Sequence, residues 1–160
     1  MDTQTQKTMF SSKTDEWATP QEFYNKLNKE HHFTLDPCCT PQSRKCEKFY
    51  TQEDDGLSRS WRGESVFINP PHSKISAWVK KARDEAAETD TKVVMLIPAR
   101  TDTKYWHDYI MTGAKEIYLI KGRLKFGESQ NSAPFPSAVI VFHNVRNPFI
   151  HYPVVGTMER

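Results

Sequence analysis

The run Val93-Val94-Met95-Leu96-Ile97, closed by Pro98, constrains this chain more than any other stretch. It is unbroken by a polar residue and has the length of a strand. A strand with no polar face must be covered on both sides, as in a parallel sheet flanked by helices. The rest of the chain follows that alternation. Phe33-Thr34-Leu35-Asp36, Val66 to Asn69, Glu116 to Ile120 and Ser137 to Phe142 read as further strands. Between them, Ile75, Trp78, Val79 and Ala82 fall at i, i+3, i+4 and i+7, one face of a helix over about Ser73 to Glu88. Another helix is predicted from Thr19 to about Glu30, with Thr19 as its cap, Pro20 at its first position and Glu22 completing a capping box. A third covers Thr103 to Met111 and stops at Gly113, and Gly122 to Phe126 reads as a short edge segment. Residues Cys38 to Leu57 show little periodicity, and those after Asn144 are left unassigned. The expectation is an α/β fold with a mostly parallel sheet, a single domain over 15–160, preceded by a disordered tail over 1–14.

Composition excludes several classes. A mean hydropathy of -0.72 and 26% charged residues describe a soluble chain, and no apolar run approaches a membrane span of ~18–20 residues. The polar start, Met1 to Lys13, has no signal-peptide pattern. Three cysteines, an odd number, favour a reducing cytoplasm over a disulfide framework. Net charge +2 permits a nucleic-acid partner without demanding one. The charge is uneven, however. Lys92 to Phe126 holds seven basic residues against three acidic, while Glu47 to Leu57 holds four acidic residues against Lys48.

The chemistry-bearing pattern is Asn69-Pro70-Pro71-His72, directly after the strand Val66-Phe67-Ile68. Two prolines make a stiff turn, and the carboxyl end of a strand is where open α/β sheets bind ligands. The turn offers the Asn69 side-chain oxygen and the Pro70 carbonyl as aimed acceptors, with the His72 ring beside them, a set suited to a planar conjugated amine. Asp36-Pro37 ends the first strand, where an acidic side chain can meet a nucleoside's hydroxyls. A strand-ending Asp that simply makes a turn is the other reading. No glycine-rich phosphate loop is present, against dinucleotides and nucleoside triphosphates. His31, His32, Cys38, Cys39 and Cys46 lack the paired spacing of a zinc site, so no metal is expected. No Ser-His-Asp or Gly-x-Ser-x-Gly signature supports a hydrolase.

Together these residues resemble the DNA N6-adenine methyltransferases, in particular the small family carried by phages and prophages. Asn69-Pro70-Pro71-His72 resembles the family's catalytic Asn-Pro-Pro-aromatic motif, and Asp36-Pro37 the start of its cofactor motif. Trp17-Ala18-Thr19-Pro20 is similar to the N-terminal cofactor-contacting segment. Glu53-Asp54-Asp55-Gly56-Leu57, with Trp61, resembles the stretch that meets the cofactor adenine. Gly122 to Phe126 and Ala133 to Ser137 resemble the distal region beside the target base. Two departures are plain: His72 stands where Tyr, Phe or Trp is usual, and the glycines that continue the cofactor motif in larger relatives are missing.

The resemblance implies a Rossmann-like methyltransferase domain with an antiparallel strand near the C-terminus. It implies S-adenosylmethionine as cofactor and DNA as partner, with no metal, no membrane and no obligate protein partner. Asn69, Pro70, Pro71 and His72 would be catalytic. Trp17, Thr19, Pro20, Asp36, Pro37, Asp54, Asp55, Leu57 and Asn69 would bind the cofactor. Ser73, Arg100, Arg123, Lys125, Phe126 and Phe135 would bind DNA. The setting would be the cytoplasm, that of the bacterial host if the gene is a phage's. Cytosine-N4 methylation, methylation of a glutamine amide in the translation machinery, and a catalytically silent nucleic-acid-binding relative are the competing readings.

Overall fold

The computed structural model describes residues 17–127, 129–144 and 152–160. The tail expected over 1–14 lies outside the described residues. The first helix, α1, is Gln21–His31, and it leads into the two-residue strand β1, Leu35–Asp36. A second short strand, β2 (Lys48–Phe49), and a 3-10 turn at Gly56–Ser58 precede β3, Ser65–Ile68. Beyond the prolines come a 3-10 turn at His72–Lys74 and α2, Ile75–Glu88. The apolar run is β4, Lys92–Pro98. A π-helical segment, Trp106–Ile110, passes into one α turn at Met111–Gly113, followed by β5 (Glu116–Lys121), β6 (Ser137–Phe142) and β7 (Val154–Glu159).

The seven strands form one sheet in the order β2-β1-β3-β4-β6-β5-β7. Only β6 runs against its neighbours, β4 and β5; the remaining pairings are parallel. The mostly parallel sheet with an antiparallel strand late in the chain is therefore present as expected.

Side-chain alternation splits the core into two layers. Val93, Met95 and Ile97 of β4 face the layer that holds α2 through Ile75, Trp78, Val79 and Ala82. Val94 and Leu96 face the other layer, where α1 packs through Phe23, Tyr24 and Leu27. Strand β3 divides likewise, Val66 and Ile68 to the α2 side and Phe67 to the α1 side, and β6 repeats the pattern. All these strand side chains are at most 3% exposed, so each Val, Leu, Ile, Met and Phe among them contributes about 1.5–3 kcal/mol of apolar transfer. That two-sided burial is why their sequences carry no polar alternation. Among the described residues no helix is long and apolar enough to cross a membrane.

Four expectations need correction. The first strand is shorter than Phe33–Asp36, since pairing starts only at Leu35. The stretch Gly122–Phe126 is not a strand. Leu124 and Phe126 are buried in alternation, but from a loop that bends at Gly122 (φ 78°) and joins no strand, the Leu124 carbonyl accepting from the Ala133 N–H. The helix predicted over Thr103–Met111 is wound as a π-helix over most of its length. Thr19 does not cap α1, and no side chain does. Pro20 occupies the cap position, and its carbonyl accepts the first helical bond from the Tyr24 amide. The Thr19 hydroxyl is engaged elsewhere, at the site described next.

Candidate active site

The carboxyl ends of β1 and β3 lie side by side, because Leu35 pairs with Val66. Asp36 and Asn69 therefore emerge at the same edge of the sheet, each followed by proline. Asn69 is gripped by the segment ahead of α1. Its Nδ2 donates to the Trp17 carbonyl and, at 3.0 Å, to the Thr19 hydroxyl. A carbonyl only accepts, so the amide nitrogen must face Trp17 and the Oδ1 acceptor must face the other way. That orientation is what an acceptor role for Asn69 requires. Nothing in the spacing of the sequence indicates that the N-terminal segment would hold the Asn69 amide.

Aromatic rings close around the same turn. Trp17 and His72 stack with centroids 5.8 Å apart and planes 12° from parallel. Phe135 meets both edge-on, at 5.1 Å from Trp17 and 5.0 Å from His72, and Phe126 stands edge-on to Trp17 at 5.7 Å. The indole N–H of Trp17 is buried and has no hydrogen-bond partner among the described residues. The loop bearing Phe126 is tied to the same segment by the bond from Gly127 N–H to the Ala18 carbonyl. Five sequence candidates thus converge: Trp17, Asn69, His72, Phe126 and Phe135.

A second group forms at the end of β1. Asp36 is 3% exposed, and its two oxygens accept from the amides of Cys38 (3.4 Å) and Lys45 (3.0 Å). Burial outweighs those bonds and pushes its carboxyl up to about 6. Asp36 thus organises its own loop. Asp54 caps another turn, Oδ2 accepting from the Thr51 amide and hydroxyl, which holds it below the ordinary carboxylate range. Asp55 is exposed with φ 53°, and Leu57 packs against the α2-side core.

What joins these turns is Gly56, inside the acidic stretch Glu53 to Leu57. A Cβ there would sit 2.1 Å from the Pro37 carbonyl oxygen and 3.1 Å from the Trp78 ring. The Gly56 carbonyl accepts from the indole of Trp61, which is fully buried and stacked on Trp78. The acidic turn is therefore pressed backbone to backbone on the end of β1.

The remaining candidates are spread around this centre. Ser73 and Arg100 are exposed on the turns after β3 and β4. Pro20, Arg123 and Lys125 line a separate cleft beside α1. No group of three or more His, Cys, Asp or Glu converges as a metal site among the described residues, and all three cysteines are free thiols.

The sheet order and the acceptor-bearing turn at its carboxyl edge are those of a Rossmann-like methyltransferase domain. Comparison with known proteins narrows this. Residues 5–157 match the model of the DNA N-6-adenine-methyltransferase (Dam) family, to which the chain therefore belongs. A DNA N-6-adenine-methyltransferase of Escherichia phage T1 is 33% identical over 107 residues, covering 66% of this chain and 44% of that protein. One of Haemophilus phage HP1 is 30% identical over 139 residues, covering 82% of this chain and 80% of that protein. The chain thus spans less than half the length of the first relative and most of the second. A solved structure, a predicted O-methyltransferase of Agrobacterium tumefaciens, is 13% identical and covers 70% of this chain and 52% of that one; its TM-score of 0.35 is too low to carry weight.

Proposed function

We propose that this chain methylates N6 of adenine in DNA, using S-adenosylmethionine, on a base turned out of the duplex. The observation that carries the reading is Asn69, anchored through its nitrogen so that its oxygen faces outward, next to the stacked ring of His72. The lone pair of adenine N6 is delocalised into the ring and is a poor nucleophile. Asn69 Oδ1 and the Pro70 carbonyl hold its two hydrogens and favour a pyramidal nitrogen, a gain realised mainly in the transition state. Pro71 stiffens the turn, and orientation supplies much of the remaining acceleration.

Turning the base out costs a few kcal/mol. The His72 face, walled by Phe126 and Phe135, offsets it at ~1–3 kcal/mol per stacked base. Trp17 adds a ring and a buried indole donor to that platform, while its carbonyl fixes Asn69. Trp17 and Thr19, which the family resemblance gives to the cofactor, stand next to this platform through the Trp17–His72 stack and the bond from Asn69 to Thr19.

The edge of β1 fits S-adenosylmethionine by the chemistry of its groups. Asp54 and Asp55 sit beside Pro37 on a turn that Gly56 locks in place, carboxylates suited to ribose hydroxyls and a cationic ligand, with no glycine-rich phosphate loop. Asp36 supports this edge from beneath. When bound, the cofactor supplies an electrophilic methyl group on a sulfonium. Free thiols and the phage relatives support a cytoplasmic setting.

The test is to incubate the chain with labelled cofactor and unmethylated DNA and to identify the product nucleoside by mass spectrometry. N6-methyladenine is expected. N4-methylcytosine would move the reading to the related amine chemistry, and no modified nucleoside would overturn it.

A further inference from the structure

A cleft of about 340 Å³ lies between the start of α1 and the loop after β5. Four cations line it: Lys26, Arg123, Lys125 and Arg160, against the single carboxylate of Glu22. They leave the cleft at +3, where the whole chain carries only +2, so the remainder of the molecule is slightly negative. Among the described residues none of the four is in an ion pair, although other lysines and arginines take part in them: Lys48, Lys80, Lys81, Arg83, Lys104 and Lys121.

Main-chain carbonyls hold three of the four heads instead. Lys26 Nζ donates to the Glu159 carbonyl at 2.8 Å, Arg160 Nη1 to the Arg123 carbonyl at 3.3 Å, and Arg123 Nη1 to the Ala133 carbonyl at 3.3 Å. Carbonyls position a cation without neutralising it. Gly122 contributes by its missing side chain, since a Cβ there would crowd the Arg160 stem at 3.3 Å. Three separate parts of the chain, α1, the loop after β5 and the end of β7, are folded together to gather like charges. Such a gathering repels itself unless an anion is brought to it.

We propose that this cleft grips the phosphate backbone of the DNA that carries the target adenine, and that Lys26 and Arg160 are phosphate-binding residues alongside Arg123 and Lys125. The proposal rests on DNA being the substrate. The position favours a backbone over a free anion. Lys125 directly precedes Phe126, a wall of the base platform, so one loop carries both a cation of the cleft and a ring of the platform. A nucleotide held out of the helix keeps its flanking phosphates within such reach. Contacts to phosphates fix register and carry no base information, which suits residues away from the Asn69 turn.

The test measures affinity for a short duplex by fluorescence anisotropy across a salt series, for the unaltered chain and for Lys26→Ala, Arg160→Ala and the fourfold alanine variant. Removing one cation from a phosphate lowers the slope of log affinity against log salt by ~0.9. Each single variant should therefore bind about tenfold more weakly at 0.1 M salt, and the fourfold variant on the order of 10³–10⁴-fold more weakly, its slope reduced by about 3 to 4. Arg160→Lys should keep the slope. S-adenosylmethionine affinity by calorimetry should not change in any of them.

Lys104→Ala removes the same charge outside the cleft. If it lowers the slope as much as Lys26→Ala does, overall charge rather than the cleft is responsible and the proposal falls. Inorganic phosphate displacing the duplex at matched ionic strength would make this a free-phosphate site and would also overturn it. An unaltered chain with no salt-dependent duplex binding would sink the DNA reading itself. Normal binding by the chain with unchanged slopes in the variants would remove the cleft alone.

Discussion

Replacing Gly56 by alanine tests whether the two acidic turns work as one unit. The new Cβ would lie 2.1 Å from the Pro37 carbonyl oxygen, on the order of 1 Å inside normal contact. The obstacle is main chain, so no rotamer change relieves it. Trp78 blocks retreat at 3.1 Å on another side and is itself stacked on Trp61. The turn must lift off the end of β1, which costs about 1–3 kcal/mol as overpacking. Lifting it also strains the bond from the buried Trp61 indole to the Gly56 carbonyl, and an unsatisfied buried donor costs a further ~1–3 kcal/mol. A total of about 2–6 kcal/mol lowers the melting temperature of a chain this size by roughly 10 °C. Thermal unfolding followed by circular dichroism reads that shift, and calorimetry should show weaker S-adenosylmethionine binding. A Gly56→Ala chain that melts within about 2 °C of the parent and binds cofactor equally would refute the reasoning.

Asn69→Ala should slow turnover by about 10²–10³-fold, the ~2.7–4 kcal/mol of one preorganised acceptor, with cofactor affinity changed only several-fold; near-normal methylation would remove Asn69 from the mechanism. Thr19→Val, which strips one of the two anchors of Asn69, should lower turnover by about two- to tenfold and the melting temperature by only a few °C, in line with ~0.5–1.5 kcal/mol for one hydrogen bond. If His72 serves as a stacking face, His72→Tyr should retain or raise activity and His72→Ala should lose it chiefly through DNA affinity; a folded Tyr variant that binds DNA and cofactor yet is inactive would contradict stacking. Asp36 holds its proton in the fold up to about pH 6, whereas the unfolded chain releases it near 3.9. Native stability should therefore fall as pH rises through that window, by up to about 3 kcal/mol. Denaturant titrations should show Asp36→Asn gaining by that amount relative to the parent between pH 4 and 7, and a constant difference would overturn this reading.

What sequence reasoning could see was set by burial. Strands β3, β4 and β6 stand between two layers of helix and loop, so past their first residues (Ser65, Lys92 and Ser137) they are apolar throughout and the run is obvious. Strands β2 and β7 lie at the two edges of the sheet, where little is buried. Val154 and Val155 are exposed, and β2 is only two residues long, so neither leaves a periodic mark. The loop Gly122–Phe126 misled for the opposite reason. Leu124 and Phe126 alternate inward as strand residues do, without a ladder to pair with. At the site, the Asn-Pro-Pro-His turn was legible because proline restricts local geometry wherever it occurs. The grip of Trp17 and Thr19 on Asn69 was not, because a contact across the fold has no local signature. Thr19 shows the confusion directly: before Pro20 and Glu22 its hydroxyl reads as a helix cap, and the better partner lies fifty residues downstream.

The aromatic platform draws on the chain ahead of α1, the turn after β3 and the loop between β5 and β6. During synthesis the chain emerges from one end, and long-range contacts form only when the later partner has left the ribosome. A nascent chain complete through β4 already owns the Asn69 turn and its anchors, yet Phe126 and Phe135 are still to come and Trp17 lacks two of its ring partners. The turns of the cofactor edge belong to the first half of the chain, and the walls of the base platform to the second. Under the proposed function, the capacity to hold a base arrives only once both aromatic walls, Phe126 and Phe135, have been made.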